Sequence, residues 1–328
     1  MEYPRVYAIT LNWNKKDDTI ECVETLKKLT YPNYEIVVVD NGSIDGSAQA
    51  IKYKFPDVTV IENDENLGYA LGFNSGIEFA YKKGADYFLI LNNDTVIEAG
   101  ALTELVRLSE SSEKIGFVSG KVYYFNEPQK LQTVGKLSHP VYLVGNHVGM
   151  GEYDYGQYNE IEEYDFIDDV FLLVRREVYE RVGGYDENFF LHWEETDWCA
   201  RVRRAGFRIL YTPKAKIWHK GLLTTCDGIS ASDFFYVTRN QVPFMWRNAH
   251  LWQFAAFTVI LMLNRLPITV GRFAKNRKCK YIGPYLKGLI HGYLWILRGV
   301  VNVCPASASG CSHEQKTPIS GVENCRGF

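Results

Sequence analysis

Short apolar segments alternate with helix-like segments over residues 5–111, and this alternation restricts the possible folds more than any other feature of the chain. The apolar segments are rich in β-branched residues, which is typical of buried strands. Strands separated by helices form parallel sheets that are covered on both faces. The sequence therefore predicts an α/β fold with a mainly parallel central sheet. The predicted strands are residues 6–12, 34–40, 58–63 and 86–91, and the predicted helices are residues 17–29, 46–55, 71–83 and 101–111.

The pattern is less regular between residues 115 and 233. We expect short β-like pieces first, then a loop rich in Gly and Tyr, and finally strands that return to the sheet. The β-like pieces are residues 116–124 and 131–134, the loop is 145–157, the returning strands are 166–174 and 207–212, and the helices are 176–182 and 194–205.

The charge of the 328-residue chain is divided unevenly between its two parts. Residues 1–233 contain 24 Lys or Arg against 37 Asp or Glu, whereas residues 234–313 contain ten Lys or Arg and no acid. A basic, apolar region of this kind suits an anionic membrane surface, and the alternative is a helical subdomain with a solvated basic face. Nucleic acid is a weaker candidate partner, because the acidic first part would repel it.

These shifts in composition predict three parts: an α/β domain over residues 1–245, a mostly helical basic region over 246–303, and a flexible tail over 304–328. The apolar stretch 251–263 is too short, and 286–303 too interrupted, to predict a membrane span of ~20 residues. The seven Cys show no close CxxC spacing, and the N-terminal residues do not resemble a signal peptide. We therefore expect a cytoplasmic protein, peripheral at the inner face of the cell membrane if the basic region binds lipid.

Three predicted strands end in polar residues, namely Asn12-Trp13-Asn14, Asp40-Asn41-Gly42-Ser43 and Asn92-Asn93-Asp94. Ligands bind at the carboxyl ends of strands in parallel α/β sheets, so these residues are expected to form one crevice. The alternative is that Asp and Asn only begin turns there. Asp40 is suited to accept a hydrogen bond from a pyrimidine N–H. Asp94 is suited to bind Mg²⁺ or Mn²⁺ beside a diphosphate.

Three further segments carry candidate site residues. The loop Asn66-Leu67-Gly68-Tyr69-Ala70 contains a glycine that would let backbone approach a ligand, and Asn74 follows on the next helix. The segment from His192 to Asp197 holds three acids at a helix start. It is suited either to supply a general base or simply to cap the helix, with Asp197 pairing to Arg201. His219 follows the last predicted strand and is a candidate metal ligand opposite Asp94.

The strings VVVDNGSIDGS, NLGYALGFNSGI, LILNNDT, GGYDENFFLHWEETDWCARVRRAGFRILYTP and IWHKG occur in this order. Together they resemble the family 2 glycosyltransferases, most closely a rhamnosyltransferase-like branch, over residues 5–245. The resemblance implies a GT-A fold, a nucleotide-diphospho-sugar donor and inversion at the transferred sugar. It favours dTDP-rhamnose as donor, with UDP-sugars next.

The resemblance also implies roles for individual residues. Asp40 would contact the base, Asn92 would lie near the ribose, and Asp94 would bind the metal with His219. Glu195 would be the catalytic base, with Glu194 and Asp197 as alternatives. Arg239, in YVTRN, would face the diphosphate. The full set of candidate nucleotide-binding residues is Thr10, Asn12, Asn14, Asp40, Asn41, Asn66, Gly68, Asn74, Asn92, Asn93 and Arg239.

Two features depart from the family pattern. Asp168-Asp169 replaces a small residue before RREV, and Asn92 replaces the first acid of the DxD motif. The predicted function is transfer of a sugar to a saccharide or lipid-linked saccharide in the synthesis of a cell-surface polysaccharide or glycan. The alternatives are a nucleotidyltransferase that makes sugar nucleotides, although the first strand lacks a glycine-rich phosphate loop, and a non-catalytic sugar-nucleotide-binding protein.

Overall fold

The computed structural model describes residues 3–221 and 230–301. A ten-stranded mixed sheet forms its centre, in the order β10-β12-β6-β11-β4-β1-β2-β3, with β5 paired to β12 and β7 to β6. The strands are β1 Val6–Asn12, β2 Tyr34–Asp40, β3 Thr59–Glu62, β4 Tyr87–Asn92, β5 Thr95–Ile97, β6 Ile115–Tyr124, β7 Glu127–Thr133, β8 Gly135–His139, β9 Leu143–Val148, β10 Glu162–Glu163, β11 Phe171–Arg175 and β12 Arg208–His219. The helices are α1 Lys16–Leu26, α2 Ser47–Lys54, α3 Gly68–Lys82, α4 Ala101–Ser109, α5 Arg176–Val182, α6 Glu194–Arg204, α7 Ala231–Asn248, α8 Leu251–Ile260, α9 Leu266–Lys275 and α10 Ile282–Val301.

The longest strand pairs of the sheet are parallel, as the sequence predicts. β1 lies between β2 and β4, and β6 pairs in parallel with β12. The register places Asn12 opposite Asp40 and Leu11 opposite Asn92. The carboxyl ends of β1, β2 and β4 therefore meet at one edge of the sheet.

Alternate residues of the strands pack into two separate cores, one on each face of the sheet. Tyr7 and Ile9 of β1 belong to the core that includes residues of α3, α6 and α7. Val6 and Ala8 belong to the core that includes residues of α1, α2 and α4. Because both faces are covered, the strands read as continuous apolar runs rather than as alternating patterns.

Three predicted elements show the largest differences from the observed ones. The last strand, predicted to end at residue 212, continues to His219, because a register shift near residues 211–216 carries the chain past Pro213 while pairing with β6 resumes. The predicted loop 145–157 begins within a hairpin formed by β8 and β9. The strand predicted from residue 166 begins at Phe171, since residues 166–170 lie beside the hairpin and the cavity described below.

The region after residue 248 is helical, as predicted, but its first apolar segment is longer than the sequence pattern indicates. Leu251–Lys275 is one continuous helix of 25 residues, and its most apolar window of 18 residues has a mean hydropathy of 1.6. Pro267 does not end it, because the π-helical turn Leu261–Arg265 precedes the proline and accommodates its missing N–H. In the described part of the chain this helix alone is long and apolar enough to cross a membrane, and only 11% of its most apolar window is buried.

α10 packs closely against α7 through two glycines. A Cβ atom at Gly288 would lie 2.5 Å from the Phe235 carbonyl oxygen, and one at Gly292 would lie 2.7 Å from the Arg239 carbonyl oxygen. α7 runs through residue 245, where the sequence pattern divides the α/β domain from the helical region, so that division falls inside a helix. The predicted tail 304–328 lies outside the described residues.

Candidate functional site

The carboxyl ends of β1, β2 and β4 open into a cavity of about 370 Å³, which we call the strand-end crevice. Its walls come from the ends of β1 and β4, the start of α3, the loop before α6, and α7. The lining residues are Leu11, Trp13, Lys15, Asn41, Asn66, Gly68, Tyr69, Phe73, Asn92, Asn93, Asp94, Phe190, Leu191, Ser232 and Tyr236.

Asp40 lies behind the wall of the strand-end crevice, with 2% of its surface exposed. The Asn12 amide donates to Asp40 Oδ1 at 2.6 Å, and the Ser43 backbone N–H donates to Oδ2 at 3.0 Å. Asn14, which has a positive φ of 52°, accepts from the Ile44 backbone N–H. These bonds fix the first loop against the second.

The Asn41 side chain holds the loop that precedes α3 in place through hydrogen bonds. Its Oδ1 accepts from Asn63 and from the Leu67 backbone N–H, and its Nδ2 donates to Asn66 and to the Gly68 carbonyl. Gly68 has a φ of +81°, and a Cβ atom there would lie 2.5 Å from the Phe190 ring. Glycine is therefore required at this position for both its conformation and its contact.

Asp94 and His219 face each other where β12 passes the end of β4. His219 Nε2 lies 3.1 Å from Asp94 Oδ1, and Nδ1 lies 2.9 Å from Gln132 Oε1. Burial raises the pKa of Asp94, but the hydrogen bond and charge of His219 more than offset this, so the pKa is lowered and the carboxyl stays ionised. The imidazole packs on Gly221, where a Cβ atom would lie 2.3 Å from the ring.

Asn92 is held between Tyr69 and this pair. The Tyr69 hydroxyl donates to Asn92 Oδ1 at 2.8 Å, and Asn92 Nδ2 lies 3.5 Å from His219 Nε2. Burial, followed by the charges of Asp169 and Glu194, raises the pKa of Tyr69 well above its usual value. The phenol therefore remains a hydrogen-bond donor.

A second cavity of about 580 Å³, which we call the acidic cavity, adjoins the strand-end crevice. Tyr69, Asn92 and Leu191 line both cavities, so these three residues form the boundary between them. The remaining lining residues of the acidic cavity are Lys136, Val144, Gly145, His147, Asp168, Asp169, Val170, His192, Trp193, Glu194, Glu195, Thr196 and Val237.

The β8–β9 hairpin brings a lysine and a histidine to the acidic cavity. Lys136 Nζ lies 2.5 Å from Asp168 Oδ1 and 3.5 Å from Glu195 Oε1, and His147 Nδ1 lies 3.0 Å from Asp168 Oδ2. Burial raises the pKa of Asp168, but the charges of Lys136 and His147 outweigh it and lower the pKa below its usual value. Burial lowers the pKa of Lys136, and Asp168 and Glu195 raise it by more. The Lys136–Asp168 pair is therefore ionised.

Two other acids of the cavity, Asp169 and Glu194, have raised pKa values, in contrast to Asp168. Burial and the charge of Glu195 raise the pKa of Asp169 to about 7. Burial and the same neighbour raise the pKa of Glu194 well above its usual value. Asp169 Oδ2 accepts from the Tyr185 hydroxyl at 2.7 Å.

Four residues that the sequence places at the site are engaged elsewhere. The Asn74 amide bonds with the Tyr185 backbone at both N–H and C=O, and Arg239 donates to the Asn188 carbonyl. Thr10 is fully buried within β1 and lines neither cavity. Asp197, with 1% of its side chain exposed, pairs with Arg201 at 2.7 Å, which supports its structural interpretation. Tertiary packing therefore gives Asn74 and Arg239 partners that sequence spacing does not reveal.

Other residues of the site are missed by the sequence interpretation. Lys136 and His147 lie far from the motifs, on a hairpin predicted partly as a loop. Phe190 and Tyr236 stack at 5.1 Å between ring centroids and close one side of the strand-end crevice. An isolated aromatic or basic residue gives no sequence signal for such a position. Trp13 and Lys15 also line the crevice. They are easier to predict, because they directly follow the polar end of β1.

Known proteins resemble a large part of the chain. A family model described as glycosyl transferase family 2 matches residues 7–183. N-acetylglucosaminyl-diphospho-decaprenol L-rhamnosyltransferase of Mycobacterium tuberculosis is 26% identical over 205 residues, 56% of this chain and 66% of that protein. Poly-beta-1,6-N-acetyl-D-glucosamine synthase of Staphylococcus aureus is 27% identical over 212 residues, 63% of this chain and 47% of that protein. The chain thus spans less than two thirds of the length of these relatives.

Solved structures share the fold. GalNAc-T7, crystallised with UDP, GalNAc and Mn²⁺, superposes with a TM-score of 0.60 at 15% identity, covering 75% of this chain and 48% of that one. A mannosyltransferase from Pyrobaculum calidifontis, in complex with GDP-Man and Mn²⁺, gives 0.56 at 14% identity, covering 90% of this chain and 88% of that one. The predicted GT-A fold is therefore confirmed. With the family model matching more than half of its residues, the chain belongs to glycosyl transferase family 2.

Proposed function

We propose that the protein transfers a sugar, with inversion, from a nucleotide-diphospho-sugar to a hydroxyl group of a saccharide or lipid-linked saccharide. The observation that carries this proposal is the boundary shared by the two cavities. The strand-end crevice contains Asp94 and His219, the acidic cavity contains Glu195, and Tyr69 and Asn92 line both. A donor bound in the crevice would present its sugar at the boundary, facing an acceptor in the acidic cavity.

The nucleotide would lie in the strand-end crevice with its base near β1 and β2. Trp13 is half exposed there and offers a stacking surface. Asp40 lies behind the wall of the crevice, so it would accept from a pyrimidine N–H only if the Asn12 side chain moved aside. Uracil and thymine present the same N–H, so Asp40 suits UDP and dTDP equally. The named activity of the mycobacterial relative favours rhamnose, and hence dTDP, as part of this proposal.

Asp94 and His219 fit a divalent cation. Two cis ligand atoms of an ion with bonds of ~2.1 Å lie about 3 Å apart, and His219 Nε2 and Asp94 Oδ1 are 3.1 Å apart. With its Nδ1–H donated to Gln132, the imidazole would direct its Nε2 lone pair towards Asp94. The described residues contain no cluster of three metal-binding side chains, so diphosphate oxygens would complete the coordination. Mg²⁺ or Mn²⁺ would neutralise the charge that develops on the leaving nucleoside diphosphate.

Glu195 is the proposed catalytic base. It lines the acidic cavity, and its Oε1 accepts from Thr196 at 2.7 Å and lies near Lys136. The acceptor O–H would give its proton to Glu195 while the oxygen attacks the anomeric carbon from the face opposite the phosphate. The bond between that carbon and the phosphate oxygen breaks in the same step, so one displacement inverts the configuration.

Replacement of Glu195 tests this assignment. Glu195→Gln should lower sugar transfer by about 10²–10⁴-fold, the usual contribution of a general base, while nucleotide binding measured by calorimetry stays unchanged. Glu160→Gln, at an exposed position, is the matched control and should transfer at the wild-type rate. Undiminished transfer by Glu195→Gln would exclude Glu195 as the base.

The two alternative functions remain distinguishable by experiment. A nucleotidyltransferase would release pyrophosphate from a nucleoside triphosphate and a sugar phosphate, and a non-catalytic protein would bind UDP or dTDP with Mn²⁺ without turnover. Membership in the glycosyltransferase family argues against the first. The pairing of Asp94 with His219 beside Glu195 argues against the second.

We also propose that the helical region places the protein at the cytoplasmic face of a membrane. Leu251, Trp252 and Leu263 expose 79%, 62% and 77% of their surfaces on the 25-residue helix. Arg272 and Lys275 follow on the same helix, so apolar and basic groups would contact lipid together. Whether the helix crosses the bilayer or lies on it, a lipid-linked acceptor would be within reach of the enzyme.

A further inference from the structure

The acidic cavity has more carboxyl groups than cations to balance them. Asp168, Asp169, Glu194 and Glu195 all line it, against Lys136, His147 and His192, and His192 lies 3.2 Å from Asp233, which is not part of the lining. Asp168 contacts two of these basic groups, since Lys136 lies 2.5 Å from one of its oxygens and His147 lies 3.0 Å from the other. Lys136 reaches Glu195 only at 3.5 Å. Within residues 3–221 and 230–301, Asp169 and Glu194 form no ion pair.

Glu194 is the least satisfied of these groups. Only 4% of the residue is exposed, and its Oε2 has no hydrogen-bond partner among the described residues. A buried carboxyl oxygen without a donor is unfavourable, because it loses water and gains nothing in return. A ligand that brings a donor to this oxygen would therefore bind with a gain that the empty cavity lacks.

Asp169 lies close enough to influence Glu194 electrostatically, and it too is buried, with 7% exposed. The donor shown for it is the neutral hydroxyl of Tyr185. Two buried acids that share no cation favour the uptake of positive charge, either as protons or as a bound ammonium group, because charges interact strongly where water does not screen them.

We propose that the acidic cavity binds a hydroxyl-rich ligand with a positive charge, the chemical class of an amino sugar with a free amine, and rejects acidic sugars. The proposal rests on the proposed function in that this ligand is the glycosyl acceptor. Its ammonium group would lie between Asp169 and Glu194, and its hydroxyl groups would face Glu195.

The protonation of the cavity agrees with this assignment. The pKa values of Asp169 and Glu194 are both raised, first by burial and then by the charge of Glu195. An ammonium group would supply a counter-charge and allow both to ionise, whereas a uronic acid would add a further negative charge. The titratable and charged groups that face this pair are Tyr69, Lys136, His147, Asp168, Tyr185, His192, Glu195 and Cys199.

Three small polyols of nearly the same shape test the charge preference directly. Tris carries an ammonium group, pentaerythritol is neutral, and bis(hydroxymethyl)propionate carries a carboxylate. Their dissociation constants are measured by ligand-detected NMR on the full chain at neutral pH in cacodylate buffer. We expect Tris to bind about tenfold more tightly than pentaerythritol, as for one partly solvated ion pair, and the carboxylate to bind more weakly than either.

The double variant Asp169→Asn/Glu194→Gln should lose the preference for Tris while keeping the wild-type circular dichroism spectrum. A carboxylate that binds as tightly as Tris, an absence of Tris binding, or a preference unchanged in the double variant would each overturn the proposal. If the double variant does not fold, the comparison of the three polyols on the wild-type protein decides alone.

Binding of UDP or dTDP with Mn²⁺ is measured on the same samples. A charge preference without nucleotide binding would refute the proposed function and leave the cavity assignment intact. Nucleotide binding and sugar transfer without a charge preference would support the proposed function and refute the assignment of the cavity.

Discussion

The Tyr69 hydroxyl donates a hydrogen bond of 2.8 Å to Asn92 Oδ1. This single bond fixes which end of the Asn92 amide faces His219, because the oxygen is taken by Tyr69 and Nδ2 is left 3.5 Å from the imidazole. Asn92 therefore presents a donor to the Asp94–His219 pair, where an aspartate would present a second carboxylate.

Removal of this hydroxyl should affect both stability and nucleotide binding. Tyr69→Phe leaves Asn92 Oδ1 without its donor, so the free energy of unfolding should fall by about 1–3 kcal/mol. The dissociation constant for dTDP or UDP with Mn²⁺ should rise severalfold, because the amide is free to turn. Urea denaturation and calorimetry measure the two effects. Tyr34→Phe removes a similar bond to the Leu26 carbonyl and should reduce stability alone; equal nucleotide affinity in both variants would contradict the prediction.

The raised pKa of Asp169 predicts a specific dependence of stability on pH. Its pKa is about 7 in the folded chain against 3.8 for an unperturbed aspartate. Folding therefore favours the protonated form, and the associated stability is fully present below the unfolded pKa and is lost as pH rises through about 7. Asp169→Asn keeps an oxygen that accepts from Tyr185 but does not titrate, so the variant should not lose this stability as pH rises.

The melting temperature of Asp169→Asn should accordingly exceed that of the wild type by a few degrees at about pH 8, and the difference should disappear below the unfolded pKa of 3.8. Thermal denaturation followed by circular dichroism at several pH values measures the difference. A variant that is less stable than the wild type at the higher pH would show that the carboxylate has a counter-charge.

Two glycines with similar backbone angles offer a matched test of the contact between α3 and the segment before α6. Gly68 has a φ of +81° and would place a Cβ atom 2.5 Å from Phe190, whereas Gly46 has a φ of +78° and no atom within 4 Å of such a Cβ. Gly46→Ala should cost about 1 kcal/mol from its backbone conformation alone. Gly68→Ala should cost about 1–3 kcal/mol more, since Phe190 must move. If urea denaturation shows similar losses of unfolding free energy in the two variants, Phe190 moves aside without cost and the prediction is wrong.

Much of the strand-end crevice can be predicted from the sequence because it is local in the chain. Asn92, Asn93 and Asp94 follow an uninterrupted apolar strand, and the parallel sheet aligns that strand with β1. The acidic cavity cannot be predicted in the same way. Lys136 comes to Glu195 from a hairpin 59 residues away, and no periodicity or motif records that approach.

The fates of Asn74 and Arg239 show a second limit. Both lie in segments that resemble the family, and both direct their side chains to backbone groups of the loop before α6. A resemblance places a residue near a site, but only packing determines which partner its side chain takes. Asp168 and Asp169 depart from the family pattern, yet both line the acidic cavity. Their neighbours lower the pKa of Asp168 and raise that of Asp169, a difference that the sequence does not predict.

The exposed apolar helix predicts binding to anionic vesicles. The full chain should sediment with vesicles that contain phosphatidylglycerol, and added salt should weaken binding because basic groups contribute. Leu263→Lys should reduce the bound fraction by about tenfold, since one leucine contributes about 1.5–3 kcal/mol when buried in lipid. Tyr53→Lys, at a position 91% exposed on α2, is the control and should bind as the wild type does. Equal binding by both variants would exclude this surface.

The close packing of α10 on α7 has a consequence for protein engineering. α7 supplies Ser232 and Tyr236 to the strand-end crevice. Its contact with α10 depends on Gly288 and Gly292, which do not line that crevice. Bulkier side chains at either glycine would push α7 as a unit and alter the width of the crevice. A library designed to change donor preference should therefore randomise these two remote glycines alongside the residues that line the crevice.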